Sequence, residues 1–300
     1  MGNRWTISEV PDLSGKTVVV TGGNTGLGFK SCLEFARNNA EVILACRNKE
    51  KGDAAVARIK AEIPDCSVRC MTLDLSDLSS VNDFGKRFCA EYEKLDILMN
   101  NAGIVNLATL QRTKEGREMQ MATNHLGHFA LTFNLLEPLL QSERSRVVIL
   151  SSGAYRWGKI NFEDLDWEER EESYSRVQAY GDSKLANMLF CLGLQDYFDQ
   201  RGANAISVAA HPGLTGTERQ QAEGVGGAFT RWLATSVDKG VESQLRAATD
   251  NNVKGKQFYG PKYMLFGPPS NLSISEDAQS QELIQQLWEY SEQATNCKYP

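Results

Sequence analysis

A tyrosine and a lysine stand four positions apart in a long helical pattern, as Tyr180 and Lys184. Residues at positions i and i+4 of a helix share one face, so we expect both side chains to point the same way. A nearby ammonium group favours the phenolate form and lowers the pKa of a tyrosine, which makes it a usable general acid near neutral pH. The pair therefore predicts proton transfer to or from a substrate.

This spacing has little value alone, because short motifs arise by chance. Tyr155 and Lys159 form a second match. Gly158 lies inside that match and the segment directly follows a strand pattern, so we do not expect a shared helical face there. We therefore take Tyr180 as the acid–base residue and assign Tyr155 to the wall of a substrate pocket.

A glycine-rich segment, residues 21–28, separates the first strand pattern from the first helix pattern. Its glycines allow a tight turn and a close approach of the backbone to a pyrophosphate, toward which the helix N-terminus is directed. We expect a dinucleotide at this turn. The residues predicted to contact it here are Gly22, Asn24, Thr25, Gly26, Leu27 and Gly28.

The residues after the second strand indicate which dinucleotide binds. A site that reads the ribose 2′-hydroxyl needs Asp or Glu at the strand end, but Cys46 stands there and Arg47 follows. A guanidinium suits a 2′-phosphate, so the sequence predicts NADP(H) rather than NAD(H). Asp74 and Leu75 are placed to touch the adenine edge, with a turn or capping role for Asp74 as the alternative. An amide and small residues follow the fourth strand and would fix its end against the cofactor: Asn101, Ala102 and Gly103.

These candidates follow the strands of an alternating strand–helix pattern. Apolar strand patterns at 16–21, 41–46, 67–73, 96–99, 146–150 and 204–209 alternate with helices, and a short one follows at 257–259. The pattern predicts an α/β protein with a doubly wound parallel sheet, a Rossmann fold, in three layers. We expect one domain over residues 1–300, with a core of 13–260 and a C-terminal extension at 261–300.

Composition excludes several classes of function. A net charge of −6 without a basic run argues against nucleic-acid binding. The seven scattered cysteines indicate free thiols in a reducing cytoplasm, and Cys66 and Cys70 lack the second pair that a zinc site needs, so we expect no metal. The longest run without charged residues, 119–136, contains several polar side chains, so we expect no membrane span.

Together these motifs resemble the short-chain dehydrogenase/reductase family over about residues 13–260. The glycine spacing is that of the short single-domain branch. The segments Cys-Arg-Asn, Asn-His-Leu-Gly-His-Phe and Ser-Lys-Leu-Ala-Asn are similar to the retinol-dehydrogenase-like group. The resemblance implies an oxidoreductase that transfers a hydride between a nicotinamide and an apolar carbonyl or alcohol substrate.

The resemblance also implies residue roles. Tyr180 gives or takes the proton, Ser152 hydrogen-bonds the substrate oxygen, and Lys184 holds the nicotinamide ribose and tunes Tyr180. Asn124 is implied to hold a water in a proton relay, with a buried amide that satisfies the backbone as the alternative. The segment after the sixth strand is implied to cover the nicotinamide, with Thr217 bonding its carboxamide. The residues expected to contact the cofactor there are Pro212, Gly213, Thr215 and Thr217.

Two segments bear on the substrate. Residues 217–237 place glycines before apolar side chains, which suits a lid over an apolar substrate or a surface helix that packs an apolar stripe. The acidic insertion at 163–172 is expected to be a solvated surface segment, or a rim of the pocket mouth. The side chains assigned to the pocket are Tyr155, Trp157, Phe229 and Trp232.

The helices of Asn124 and Tyr180 are apolar nearly all round and need cover on more than one side. We therefore expect a homodimer or homotetramer formed through them. A non-catalytic NADP(H)-binding regulatory or scaffold protein on the same fold is the alternative function. A sugar-nucleotide epimerase is disfavoured by the glycine spacing and the length.

Overall fold

A mostly parallel sheet organises the computed structural model, which describes residues 4–105, 107–213 and 237–300. The order of its strands is β3-β2-β1-β4-β5-β6-β7-β8, with β8 antiparallel to β7 and the other pairs parallel. The strands are β1 (Thr17–Thr21), β2 (Glu41–Cys46), β3 (Val68–Thr72), β4 (Ile97–Asn100), β5 (Ser145–Leu150), β6 (Ala205–Ala210), β7 (Phe258–Pro261) and β8 (Pro269–Leu272). The strand order reverses beside β1, which places a ligand crevice at the carboxyl ends of β1 and β4.

Helices cover both faces of the sheet. They are α1 (Gly26–Arg37), α2 (Lys49–Glu62), α3 (Leu78–Glu91), α4 (Met119–Met121), α5 (Gly127–Asn134), α6 (Leu136–Gln141), α7 (Arg176–Gln200), α8 (Val237–Thr249) and α9 (Gln281–Thr295). Val19 of β1 faces the core beneath α3, α5 and α7, whereas Val18 and Val20 face the core beneath α1, α2 and α8. The predicted three-layer α/β fold is confirmed. None of the helices in the described ranges has the length and hydropathy that a bilayer crossing requires.

The edge strand β8 was not among the strands predicted from the sequence. β8 is short, half polar and begins with a proline, so it lacks the apolar run that marks the buried strands. Asp77 caps α3, and its carboxylate accepts a hydrogen bond from Ser79 N. The lid-like segment 217–237 lies outside the described residues apart from Val237, and Thr215, Thr217, Phe229 and Trp232 lie outside them as well.

The C-terminal helix α9 covers the helices that were expected to need a second subunit. Trp288 of α9 packs against Phe129 of α5 and Phe190 of α7, with ring centroids 5.3 and 6.1 Å apart. Tyr299, just beyond α9, donates a hydrogen bond to the backbone oxygen of Phe129. The apolar surface that motivated the homo-oligomer prediction is therefore covered within the chain, and these contacts give the C-terminal extension a structural role.

The acidic insertion at 163–172 is packed against the protein on one side. Asp164 and Trp167 are buried, and the Arg170 guanidinium lies 3.8 Å from the centre of the Trp167 ring. Asp166 accepts a hydrogen bond from Arg117 at 2.7 Å and is half-buried. The two aspartates of the segment turn inward to pair with arginines, whereas its five glutamates are exposed, so the segment is solvated on one side and packed on the other.

His125 lies at the interface between α9 and the rest of the fold, in the π-helical turn Ala122–Leu126 that joins α4 to α5. Its Nε2 donates to Ser291 Oγ, 2.8 Å away, because the Ser291 hydroxyl itself donates to the Leu287 backbone oxygen. Complete burial lowers the pKa of His125 to about 3. The folded protein therefore holds this imidazole neutral near neutral pH.

This burial predicts a pH dependence of stability. An unfolded histidine takes up a proton near pH 6.5, whereas folded His125 does so only near pH 3, so its contribution to the free energy of unfolding falls as the pH drops between those values. His125→Asn should flatten the slope of that free energy against pH around pH 5 by about 1.4 kcal/mol per pH unit. Urea titrations at several pH values measure this slope. An unchanged slope would mean that His125 is protonated equally in both states.

Candidate active site

A cleft of about 580 Å³ lies at the carboxyl ends of β1 to β4. Its walls contain each residue predicted to bind the adenosine and pyrophosphate part of a dinucleotide. They are Gly22, Asn24, Thr25, Gly26, Leu27, Gly28, Arg47, Asp74, Leu75, Asn101, Ala102 and Gly103. The cleft thus joins four segments that are separate in sequence, as expected for a parallel sheet.

The glycine turn is shaped for a ligand that approaches the backbone. Gly22 has a φ of 66°, in the left-handed region that favours glycine. A Cβ atom on Gly28 would lie 2.4 Å from the Gly22 oxygen, so only glycine lets the first turn of α1 sit against the loop. The Thr25 side chain makes no capping bond to α1, and the first residues of α1 form part of the cleft wall. The first amide groups of a helix attract anions, so this turn can hold a phosphate.

Asn101 joins the two walls of the cleft. Its Nδ2 donates to the Thr21 backbone oxygen at 2.7 Å, and the backbone N–H groups of Asn101 and Ala102 both donate to Thr21 Oγ1 at 2.9 Å. The end of β4 is thereby fixed to the end of β1. This agrees with the role predicted for the amide and small residues after the fourth strand.

Arg47 lies at the far end of the cleft. Its side chain is 76% exposed, and its Nε is 4.0 Å from Asp74 Oδ2. Asp74 also accepts hydrogen bonds from the Ser76 backbone and hydroxyl, so the alternative turn role of Asp74 is realised together with its place in the cleft wall. The exposed guanidinium is therefore available to an anion that enters the cleft.

Cys46 occupies the position where a carboxylate would read a ribose hydroxyl. Its sulfur is 4.0 Å from that of Cys70, and its thiol donates to the Asn48 backbone oxygen. The contact with Cys70, and then burial, raise the pKa of the Cys46 thiol. The thiol is therefore uncharged near neutral pH and places no negative charge at this end of the cleft.

Tyr180 and Lys184 lie one turn apart on α7, and the Lys184 ammonium is 5.6 Å from the centre of the Tyr180 ring. Lys184 is buried, and its Nζ donates to the Leu150 backbone oxygen at the end of β5. Ser151 Oγ donates to the Lys184 backbone oxygen at 2.8 Å, which ties α7 to the same strand end. Ser152, the next residue, is buried and begins the short helical turn Gly153–Trp157.

Asn124 connects these residues with the cleft. Its Nδ2 donates to the Ile104 backbone oxygen and to Ser183 Oγ, at 3.0 and 2.9 Å, and its Oδ1 accepts from Ile104 N at 2.8 Å. The amide thus satisfies backbone groups, which was the alternative interpretation, and its implied role in a water relay stays a prediction. A Cβ on Gly103 would lie 3.2 Å from Asn124 Oδ1 and 3.4 Å from Lys184 Nζ, so the Gly103 wall of the cleft adjoins the lysine.

His128 is a site residue that sequence reasoning missed. Its Nδ1 donates to the Asn124 backbone oxygen and its Nε2 accepts from the Thr21 hydroxyl, each at 2.9 Å. One neutral tautomer satisfies both bonds, and burial lowers the pKa of His128 to about 4. The signal that could have found it is its spacing, because His128 follows Asn124 by four residues on one helical path.

His211, after β6, was missed as well. Its Nε2 donates to the Met264 backbone oxygen at 2.7 Å, and its Nδ1 accepts from Gly213 N at 3.3 Å. Burial lowers the pKa of His211 to about 4, so the neutral ring keeps both bonds. Pro212 and Gly213 follow it into the core, and Gly213 has a φ of 76°.

The structure buries Tyr155 in the core. Its side chain is 1% exposed, its ring packs on Phe258, and its hydroxyl accepts from Ser275 N. The pocket-wall assignment of Tyr155 was wrong because the tight turn after β5 directs this side chain into the core. Trp157, in contrast, is half exposed and lies against Gly181, the residue after Tyr180.

Comparison with known proteins agrees with this site. Residues 16–163 match the sequence model of the family described as short chain dehydrogenase. Retinol dehydrogenase 12 of Mus musculus is 38% identical to the chain over 285 residues, which are 93% of this chain and 86% of that protein. Retinol dehydrogenase 13 of Homo sapiens is 36% identical over 300 residues, covering 96% of this chain and 87% of that protein.

Solved structures share the fold. The crystal structure of an uncharacterized protein from Mycobacterium paratuberculosis superposes with a TM-score of 0.84 at 37% identity, covering 99% of this chain and 100% of that one. A short chain dehydrogenase from Shigella flexneri, solved in complex with NADP, superposes with a TM-score of 0.65 at 22% identity, covering 84% of this chain and 99% of that one. The chain therefore belongs to the short-chain dehydrogenase/reductase family, in its retinol-dehydrogenase-like group, and is an oxidoreductase of alcohol or carbonyl groups that uses a nicotinamide cofactor.

Proposed function

We propose that the protein is an NADP(H)-dependent reductase of apolar aldehydes and ketones, which also runs as an alcohol dehydrogenase, with Tyr180 as the general acid or base. The observation that carries this proposal is the placement of Lys184. Its buried ammonium lies one helical turn from Tyr180 and adjoins Gly103 in the cofactor cleft. One cation is therefore positioned both to act on the phenol and to bind a cofactor ribose.

The cleft fits an extended dinucleotide. At one end Arg47 is exposed, in the middle Gly22 and Gly28 leave the space that a Cβ would fill, and at the other end Gly103 adjoins Lys184. Arg47 would hold the 2′-phosphate, the start of α1 the pyrophosphate, and Lys184 the nicotinamide ribose. The bound nicotinamide supplies or accepts the hydride.

The chain's own contribution is the proton. In reduction, Tyr180 gives its phenolic proton to the carbonyl oxygen as the carbonyl carbon gains a hydride, which yields an alcohol. The Lys184 ammonium stabilises the phenolate left behind. Ser152 donates a hydrogen bond to the same substrate oxygen and fixes its position, which lowers the entropic cost of reaching the transition state.

Selection of NADP(H) over NAD(H) depends on charge at the Arg47 end of the cleft. The guanidinium attracts a 2′-phosphate. Cys46, uncharged and buried, offers neither repulsion to that phosphate nor an acceptor for a free 2′-hydroxyl. The short chain dehydrogenase from Shigella flexneri, which has the same fold, was solved with NADP bound.

The cysteines support a location in the cytoplasm. All seven cysteines are free thiols, which suits the cytoplasm as a reducing compartment.

The eight strands of the described residues form one sheet, which supports a single domain over residues 1–300. His128 and Lys184 are almost completely buried near the carboxyl ends of the strands, so the proposed catalytic region is part of the same core.

Tyr180→Phe tests the proposed chemistry. The variant should lower kcat for an apolar aldehyde by roughly 100- to 10,000-fold, because it removes the proton donor, and should bind NADPH as the wild type does. Steady-state rates and a fluorescence titration with NADPH measure the two quantities.

Tyr155→Phe is the matched control, since Tyr155 begins the second Tyr-x3-Lys match of the chain. Losing its bond to Ser275 N should cost about 1 kcal/mol of stability and leave kcat unchanged. Full activity in Tyr180→Phe, or loss of activity only in Tyr155→Phe, would contradict the assignment.

Arg47→Ala tests the choice of cofactor. Removing a charge-assisted contact to phosphate should raise the Kd for NADPH roughly 10- to 100-fold and leave the Kd for NADH unchanged. Lys49→Ala is the control, because Lys49 lies close in sequence but is paired with Asp53 at 2.7 Å. Tighter binding of NADH than of NADPH to the wild type would refute the NADP(H) assignment.

A further inference from the structure

Two cysteine side chains face each other at the adenosine end of the cofactor cleft. Cys46 ends β2, and Cys70 lies in β3 at one end of the strand order. The parallel register pairs Cys70 with Leu44, two residues before Cys46, so both cysteines point to the same face of the sheet. Cys46 is buried in the cleft wall, whereas Cys70 is partly exposed. A small solute can therefore reach one thiol while the other belongs to the cofactor site.

The start of α2 leaves room for the two sulfurs, which are 4.0 Å apart. A Cβ on Gly52 would overlap Cys70 Sγ and lie 2.8 Å from Cys46 Sγ, so a side chain here would push the sulfurs aside. The Cys46 thiol donates to the backbone oxygen of Asn48, whose side chain caps α2. This bond helps to fix the segment that joins β2 to α2, and Arg47 lies in the middle of that segment.

The contact between the sulfurs makes the two thiols unequal. It raises the pKa of Cys46 and lowers the pKa of Cys70. The thiolate is the form of cysteine that reacts as a nucleophile. Cys70 therefore ionises first, and the Cys46 thiol is close enough to attack a group formed on the Cys70 sulfur. An accessible cysteine of low pKa beside a second, resolving cysteine is the usual arrangement of a redox-sensitive pair.

We propose that Cys46 and Cys70 form a peroxide-sensitive dithiol that controls binding of the cofactor. Hydrogen peroxide transfers an oxygen atom to the Cys70 thiolate, which becomes a sulfenic acid as hydroxide leaves. The Cys46 sulfur then attacks the Cys70 sulfur, and the oxygen leaves as water with the proton of the Cys46 thiol. The pair loses two electrons and hydrogen peroxide is reduced to water. A dithiol reductant such as dithiothreitol reverses the step.

The disulfide would alter the end of the cleft where Arg47 lies. Bond formation brings the sulfurs closer than their present 4.0 Å and so carries the end of β2 toward β3. Oxidised Cys46 also has no hydrogen left to donate to Asn48. Both changes move Arg47 away from the place proposed for the 2′-phosphate. The inference thus rests on the proposed NADP(H) site and adds a regulation to it, because the oxidised protein binds the cofactor weakly.

Treatment with hydrogen peroxide, followed by its removal, tests the inference. In the wild type, nonreducing peptide mapping should show a disulfide between Cys46 and Cys70. The Kd for NADPH should rise roughly 10- to 100-fold, as expected for loss of the Arg47 contact, and dithiothreitol should reverse both changes. Cys70→Ser should bind NADPH as the reduced wild type does and keep that Kd after peroxide. Cys89→Ser, which alters an exposed thiol, is the control and should respond as the wild type does.

Two further measurements test the order of the steps and the coupling. Cys46→Ser should trap the sulfenic acid on Cys70, which dimedone labels. Coupling between two sites is reciprocal, so saturating NADPH should shift the wild-type pair toward the dithiol in a buffer of reduced and oxidised dithiothreitol. The shift should equal the ratio of the two Kd values, and this measurement needs no variant.

The outcomes separate the inference from the proposed function. The inference fails if peroxide gives no disulfide between Cys46 and Cys70, or if the disulfide forms and the Kd for NADPH stays the same. It fails as well if Cys70→Ser loses affinity after peroxide as much as the wild type does. NADPH binding by the reduced protein would leave the proposed function standing in each case. If the reduced wild type does not bind NADPH, the proposed function fails, even where the disulfide forms.

Discussion

The site depends on one buried side chain, the amide of Asn124, whose polar atoms need hydrogen-bond partners. It finds them in both backbone groups of Ile104 and in Ser183 Oγ. Ile104 follows the end of β4 and Ser183 belongs to α7, so the amide sets the distance between the cofactor cleft and the helix of Tyr180. The π-helical turn at Asn124 gives the side chain this reach, and such turns are frequent at functional sites.

The neighbouring polar groups extend this constraint. The Asn124 backbone oxygen accepts from His128, which in turn accepts from the Thr21 hydroxyl at the end of β1. Through Asn124 this chain of bonds joins Thr21, the last residue of β1, to Ile104, which follows β4, and the carboxyl ends of both strands border the cleft. Burial keeps the imidazole neutral and therefore able to donate at one nitrogen and accept at the other. The cofactor side of the site is thus held by satisfied polar contacts.

Local patterns were enough to predict the sheet, the glycine turn and the pairing of Tyr180 with Lys184 on one helical face. They failed where long-range packing decides. The cover that α9 gives to α5 and α7 joins segments that are far apart in sequence, so local patterns could not reveal it. The homo-oligomer itself stays a prediction. Tyr155 resembled a pocket residue because its place after β5 was visible, whereas the direction of the following turn was not.

We propose that these polar contacts assemble a working carbonyl reductase and not only a nucleotide-binding surface. The most direct measurement of this follows NADPH oxidation by the wild-type protein with a panel of apolar aldehydes, ketones and quinones. We expect turnover of several panel members, faster with NADPH than with NADH. Tight NADPH binding with no turnover of any member would contradict it and favour a non-catalytic regulatory or scaffold protein on the same fold.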